Sequence, residues 1–314
     1  MPDRSQIVAL AKDVIAGFSL ADDPQVLGFR QVYAEGSNRV FARDDSYQAV
    51  TVTFGTRSRG CTVYVCENFR GHASVRFDES NSVVYIGASC RLRKTVMRAR
   101  SHNSYLLVGN GVTTTGRNTW ACTAASDTSP NVLIIGDDCM FAAEVTVRTT
   151  DGHPVYDVRS GRIRNTPLAP VVIEPHVWIG KQVTILKSVR VGACSIVALR
   201  AVVTRDVPRG SLATGIPAQS KPLEGKVWAR TPTMGDRRKA MHFYDRYCEG
   251  DQAITPDVGQ KNGAAPRPHS VFGSHADTSR KTRNRIALFV AGIALAGLQL
   301  LTLGATFWNE AMVP

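Results

Sequence analysis

No C-x-x-C pair occurs among the seven cysteines, which fall at irregular spacings. That absence speaks against a thiolate zinc site, and an odd cysteine count in a chain of 314 residues speaks against a disulfide framework. The cysteines are expected to be small core hydrophobes of a protein kept reduced, Cys139 and Cys194 included, and none is placed as a nucleophile. No H-x-x-x-x-H pair occurs either; His72, His102, His153 and His176 are scattered, unlike the clustered histidines of a hydratase or hydrolase metal centre. The opening residues M-P-D-R-S-Q-I-V-A-L-A-K-D-V-I-A-G-F carry no cationic lead into a long apolar run, so they read as a short amphipathic helix, Ser5 to Phe18, and not as a secretory signal. Acidic residues are in short supply, 26 against 38 basic ones, and the net charge of +12 favours anionic partners. No nucleic-acid recognition motif accompanies that charge, so nucleic acid is not an expected partner.

What the chain does have is a period. From Ile173 an aliphatic falls at every sixth position: Ile173, Ile179, Ile185, Val191, Val197, Val203. A second register carries Val177, Val183 and Val189, then the small Ser195 and Ala201, and a glycine follows the aliphatic at Gly180 and Gly192. The beat occurs earlier at Ile135, Phe141 and Val147, with echoes at Ile86-Gly87 and Val108-Gly109. Neither a helix nor a flat strand has a period of six, and a β-sandwich would have to imitate it by chance. A triangular coil has it, because each side sends one aliphatic inward and a small residue turns the corner. The expected fold is therefore all-β, a parallel β-helix of hexapeptide repeats with a short N-terminal helix and a C-terminal helical extension.

Between the two regular tracts the beat stops, and T-T-D-G-H-P-V-Y-D, Thr149 to Asp157, sets His153 between a glycine and a proline. A segment inserted into a solenoid must run over its outside, where function tends to sit. A histidine set out on such a segment can take a proton as a general base near neutral pH. Asp151 or Glu144 could fix its tautomer, although Asp151-Gly152 is also an ordinary turn pair. His176 reads as a rung or corner residue, and Trp178 could equally pack against a neighbouring subunit.

The words I-G-D-D-C-M-F-A-A-E-V-T-V-R-T-T-D-G-H-P-V-Y-D, V-V-I-E-P-H-V-W-I-G-K-Q-V-T-I-L-K-S-V-R-V-G and V-V-T-R-D-V-P-R-G-S-L-A-T-G-I-P-A, in that order, resemble the bacterial hexapeptide-repeat O-acetyltransferases. These are left-handed β-helix enzymes of capsule and lipopolysaccharide gene clusters, related to galactoside and maltose acetyltransferases. The likeness is close from Ile134 to Lys221 and looser back to Val84. It implies His153 as catalytic base, acetyl-CoA as co-substrate, no metal, and a homotrimer with sites between subunits. It further implies that Trp178, Gly180 and the backbone around Ala198 and Ala201 line the pantetheine arm, with Thr204, Arg205 and Lys221 near the CoA phosphates. Arg205 stands where lysine is more usual, Glu174-Pro175 where Gly-Asp is common, and Ala198-Leu199-Arg200-Ala201 for a typical Gly-Ala-Gly-Ser.

The chain divides into an N-terminal helix and lead-in (1–45), a β-helix acyltransferase domain (46–221) with its catalytic loop (148–172), an extension (222–249) and a flexible basic linker (250–285). Residues 286–308 follow as a candidate transmembrane helix. Ile286 to Phe307 carries no charge and as a helix would reach ~33 Å. Basic residues at Arg280, Lys281, Arg283 and Arg285 would keep that flank cytoplasmic, tethering the catalytic domain to the inner membrane. The expected function is acetyl-CoA-dependent O-acetylation of a sugar or polysaccharide hydroxyl, the acceptor acidic or lipid-linked. N-acetylation of an amino sugar and a non-catalytic membrane-anchored scaffold are the alternatives.

Overall fold

Each sixth-position aliphatic of the sequence has an outward polar or small neighbour and a corner residue after it, and the chain turns at every one of those corners. In the computed structural model, which describes residues 3–123 and 131–249, this produces a parallel β-helix. Its first face stacks Thr62–Val65, Val83–Ile86, Ser104–Val108, Asn131–Ile135, Val171–Ile173 and Arg190–Val191 in parallel register. The second stacks Thr113–Thr114, Met140–Phe141, Trp178–Ile179, Ile196–Val197 and Ser211–Gly215. The third runs from Val50–Phe54 through Arg70–Phe77, Arg91–Ala99, Asn118–Cys122, Thr146–Arg148 and Thr184–Ile185 to Val202–Val203.

Inside, the columns predicted by the period are continuous. Ile86, Val108, Ile135, Ile173 and Val191 align on the first face, and Phe141, Ile179 and Val197 on the second. Met97, Trp120, Val147, Ile185 and Val203 align on the third. All of these residues are buried in one core cluster, so each coil removes from water the apolar surface its neighbour would expose. The glycine after the aliphatic is a matter of space: a Cβ on Gly192 would lie 2.4 Å from the Arg209 amide nitrogen in the next coil. Corner residues at His176, Gln182, Ser188, Cys194 and Arg200 take positive φ, one per six-residue step.

The N-terminal helix α1 (Arg4–Lys12) is shorter than the amphipathic pattern predicts, ending at Asp13 before a turn with Gly17 at φ +68. The apolar side chains beyond it are still used. Val14, Ile15 and Phe18 join Ile7 and Ala11 against the outward residues Tyr85, Leu107, Ile134 and Val172 of the first face. Asp137 fixes this cover, accepting from the Ala16 amide at 2.8 Å and the Asn110 amide at 2.6 Å. Arg30–Glu35 pairs antiparallel with Asn38–Ala42, which itself pairs in parallel with Thr62–Val65, so the first face already starts at Asn38. At the other end Ser211–Gly215 and Ala218–Pro222 form a hairpin, and the extension returns along the coil to the helix α2 (Met234–Tyr244). Six of the seven cysteines are buried, and burial pushes the Cys90 and Cys122 thiols up to about 12, as inert core residues should behave. The candidate linker and membrane span at 250–285 and 286–308 lie outside the described residues; among those described, no helix is long and apolar enough to cross a membrane.

Candidate active site

The regular coil is interrupted between Thr146–Arg148 on the third face and Val171–Ile173 on the first. Thr149 closes the exit: it is buried, its Oγ1 accepts from the Thr123 amide at 3.0 Å and donates to the Thr123 carbonyl at 3.0 Å. The chain then reverses at Gly152, whose φ of +94 is a conformation that favours glycine, beside the Arg148 guanidinium. His153 follows, exposed, and among the described residues its ring makes no hydrogen bond.

Asn165 holds this loop in shape. Its Nδ2 donates to the His153 carbonyl at 2.8 Å and to Asp151 Oδ2 at 2.9 Å, while its Oδ1 accepts from the Val155 amide at 2.8 Å. Beyond it, Tyr156 and Ile163 form an antiparallel bridge, and the Asp157 carboxylate caps the intervening turn through Ser160. One side chain thus pins both edges of a small hairpin that presents the imidazole. Sequence reasoning missed Asn165, because nothing in an irregular stretch marks which asparagine will bond across it.

The two carboxylates considered as partners of His153 are engaged elsewhere in the single chain. Asp151 pairs with Lys187 and Asn165, and the Lys187 ammonium holds its carboxyl below the usual range. Glu144, at a positive-φ corner, takes Gln182 Nε2 at 2.7 Å and Lys181 Nζ at 3.3 Å, and the Gln182 hydrogen bond, followed by Lys181, lowers its pKa. Asp151 and the His153 backbone are brought together through Asn165; Glu144 does not join them.

The candidate cofactor residues share the last coils. Trp178 stands outward on the second face, 38% exposed, one strand from Ile196. Gly180 is packed so closely that a Cβ would lie 2.6 Å from the Leu199 amide nitrogen. Ala198, half-buried, donates its amide to the Ala213 carbonyl, whereas Ala201 is fully buried with its carbonyl bonded to Thr184 and its amide to Ala198. Thr204 and Arg205 are exposed just past Val202–Val203, and Lys221 is exposed on the hairpin strand opposite Leu212.

Two buried charge clusters flank this region. Glu174 is 2% exposed and accepts from Arg190 Nε and Arg209 Nε, both at 2.6 Å, and from the Ala193 amide at 2.9 Å. Burial alone would raise its pKa, but the Arg209 hydrogen bond with the other donors carries it below the usual value. The second cluster joins the extension to the coil. Asp138 meets His176 Nδ1 at 2.7 Å, Lys239 Nζ at 2.7 Å and Arg230 Nη2 at 3.0 Å. His176 Nε2 meets the Trp228 carbonyl at 2.9 Å, and its ring is stacked between those of Trp228, at 4.2 Å, and Phe243, at 5.0 Å. His176 is thus a buried corner residue, as its place in the repeat implies, and the extension is built around it. Among the described residues no cluster of His, Cys, Asp or Glu could hold a metal ion.

No family model matches the chain. Over 99 residues it is 35% identical to a polysialic acid O-acetyltransferase of Escherichia coli O1:K1 / APEC, covering 32% of each chain. It is 32% identical over 126 residues to the polysialic acid O-acetyltransferase of Neisseria meningitidis, covering 34% of this chain and 57% of that one. To the galactoside O-acetyltransferase of Escherichia coli (strain K12) it is 32% identical over 106 residues, 33% of this chain and 50% of the relative. The chain therefore matches between about a third and just over half the length of these curated relatives. Among solved structures, the polySia specific acetyltransferase NeuO is similar at 23% identity and a TM-score of 0.36, over 68% of this chain and 97% of that one. A galactoside acetyltransferase in complex with coenzyme A is similar at 21% identity and a TM-score of 0.30, over 56% and 66%. Over about a third of its length the chain is thus similar to curated sugar O-acetyltransferases.

Proposed function

We propose that this chain is an acetyl-CoA-dependent O-acetyltransferase acting on a sugar hydroxyl, with His153 as general base. The observation that carries the reading is the loop itself: the coil breaks its period between Arg148 and Val171, and Asn165 shapes that break around an exposed imidazole that follows the glycine beside Arg148. The relatives' names, polysialic acid and galactoside O-acetyltransferase, supply the reaction and the sugar acceptor.

A neutral His153 ring takes the proton of the acceptor hydroxyl as its oxygen attacks the thioester carbonyl. The tetrahedral intermediate collapses with cleavage of the C–S bond, and the imidazolium returns the proton to the departing thiolate. Acetyl-CoA is assigned to the surface from Trp178 and Gly180 to the hairpin, with Thr204, Arg205 and Lys221 supplying polar and cationic contacts for its phosphates. The homotrimer belongs to this reading, because the loop exposes Val158 at 99% and Leu168 at 90% in the single chain.

The test is free-CoA release from acetyl-CoA with a panel of sugars and glycans, including amino sugars. Acceptor-dependent release should fall by at least ~100-fold in His153→Ala, and the product should be a hydroxylamine-labile ester. Release untouched by the substitution would refute the base assignment; an amide product would move the chemistry to nitrogen. We also assign the uncharged stretch 286–308 to a membrane tether. Expressed protein should sediment with membranes and stay there through a high-salt wash, whereas a chain ending at Ser279 should be released; equal partition of the two forms would dismiss the tether.

A further inference from the structure

The transfer loop opens at a corner that the next coil makes directly. The loop leaves the third face at Arg148 and rejoins the first at Val171, whereas one coil on the chain passes from Thr184–Ile185 through Leu186, Lys187, Ser188 and Val189 to Arg190–Val191. Elsewhere in this tract the corners are laddered together by their amides. His176, Gln182, Cys194 and Arg200, each at positive φ, donate to the Asp137, Ala143, Pro175 and Lys181 carbonyls of the coil before. Ser188 takes the same backbone conformation, φ +58, beneath the corner that the loop has opened, and among the described residues its amide makes no such bond. Its side chain supplies the link. Ser188 Oγ accepts from the Leu168 amide at 2.8 Å and the Ala169 amide at 3.3 Å, the residues that bring the loop back to the coil. Lys187 reaches the other end of the loop, where its ammonium pairs with Asp151 Oδ2. Two adjacent residues of one corner thus hold the entry and the exit of the loop.

We infer that Lys187 and Ser188 are positioning residues for His153, acting through the loop and not by contact with the reacting groups. On the Lys187 side the path is continuous. Asp151 Oδ2, held by the ammonium, accepts from Asn165 Nδ2 at 2.9 Å, and the same nitrogen donates to the His153 carbonyl at 2.8 Å. Asn165 shortly precedes Leu168 in the chain, so the Ser188 bonds fix the segment that carries it. Magnitudes separate position from stability. The Lys187 and Asp151 side chains are 23% and 39% exposed, and a partly exposed ion pair adds little to global stability. A catalytic group displaced by about an ångström, by contrast, can cost about a hundredfold in rate. The corner therefore matters to the reaction far more than to the fold. The inference rests on the reading that His153 is the base.

The test uses the full chain and two independent readouts, acetyl transfer and the rate of tryptic cleavage within the loop, where Arg159, Arg162 and Arg164 are exposed. Lys187→Met and Ser188→Ala should each lower kcat about tenfold or more, leave KM for acetyl-CoA within about twofold, and shift Tm by no more than about 3 °C. Cleavage after the loop arginines should accelerate at least about fivefold, while cleavage after the exposed Arg237 and Arg238 of α2 keeps its wild-type rate. Lys187→Arg should restore most of the kcat, because it keeps the cation. If Lys187 acts through Asp151, Asp151→Asn/Lys187→Met should be no slower than the slower of the two single variants. A raised KM with kcat intact would make Lys187 a residue that binds the acetyl donor and overturn the assignment; so would multiplicative losses in the double variant, or loop cleavage at the wild-type rate. Wild-type protein that transfers no acetyl group, with loop cleavage still accelerated in both variants, would reject the proposed function and keep the corner as the loop's anchor.

Discussion

At Asp138, an imidazole, a guanidinium and an ammonium meet one buried carboxylate where the C-terminal extension closes on the coil. The carboxylate is 3% exposed, and burial by itself would raise its pKa; the His176 hydrogen bond, Arg230 and Lys239 together bring it down to about 2. Because the folded value lies below the unfolded value of 3.8, the contribution is complete above pH 4 and is lost as pH falls through 2. It amounts to about 2 kcal/mol, the free-energy equivalent of that shift. Asp138→Asn should therefore destabilise the fold by roughly 3 kcal/mol near neutrality, since it removes the shared carboxylate partner of His176, Arg230 and Lys239. Its urea-unfolding free energy should also fall less steeply than wild type's between pH 4 and 2; parallel pH profiles for the two proteins would refute the assignment. Of this cluster the sequence disclosed one member's setting. His176 was legible as a corner residue because its spacing places it there, but its partners Trp228, Arg230 and Lys239 come from a segment with no period, and nothing local pairs them with Asp138. Glu174 shows the converse: it stood out as a departure from the pattern the sequence resembles, and the structure supplies the reason in Arg190 and Arg209, which neutralise it.

The elements were legible in proportion to their regularity. From Ile173 to Val203 every inward residue follows from the period, because each six-residue step contains its own strand, corner and core side chain. Upstream coils are longer than three such steps. There the strand Arg91–Ala99 runs through a corner with a register irregularity at His72/Ala73, and the pattern of six is diluted although Val65, Ile86 and Val108 still stack. The lead-in strands Arg30–Glu35 and Asn38–Ala42 carry no hexapeptide beat at all, since one is an antiparallel edge. The candidate site divides in the same way. The interruption at Thr149 and the exposure of His153 could be read from the broken beat, whereas the Asn165 clasp depends on contacts between residues ten to fourteen positions apart in an aperiodic stretch.

For the whole molecule, the decisive issue is whether one chain holds a complete site. The loop leaves Val155 at 57%, Val158 at 99% and Leu168 at 90% exposure, and a lone chain offers the His153 ring no polar partner among the described residues. Burying those side chains against the coil of a second copy would remove apolar surface from water and bring the imidazole to another subunit's cofactor surface. On that reading, His153→Ala and Thr204→Trp/Arg205→Glu, each inactive alone, should complement when co-expressed. Random mixing in a cyclic trimer places an intact histidine against an intact cofactor surface at about a quarter of the interfaces, so about a quarter of wild-type acetyl transfer should return. A site built within one chain gives no recovery, because every subunit keeps its own defect. Sedimentation of the mixture separates the remaining alternatives: trimers without recovered activity would place the site inside each chain, and monomers would remove the assembly on which the exposed loop depends.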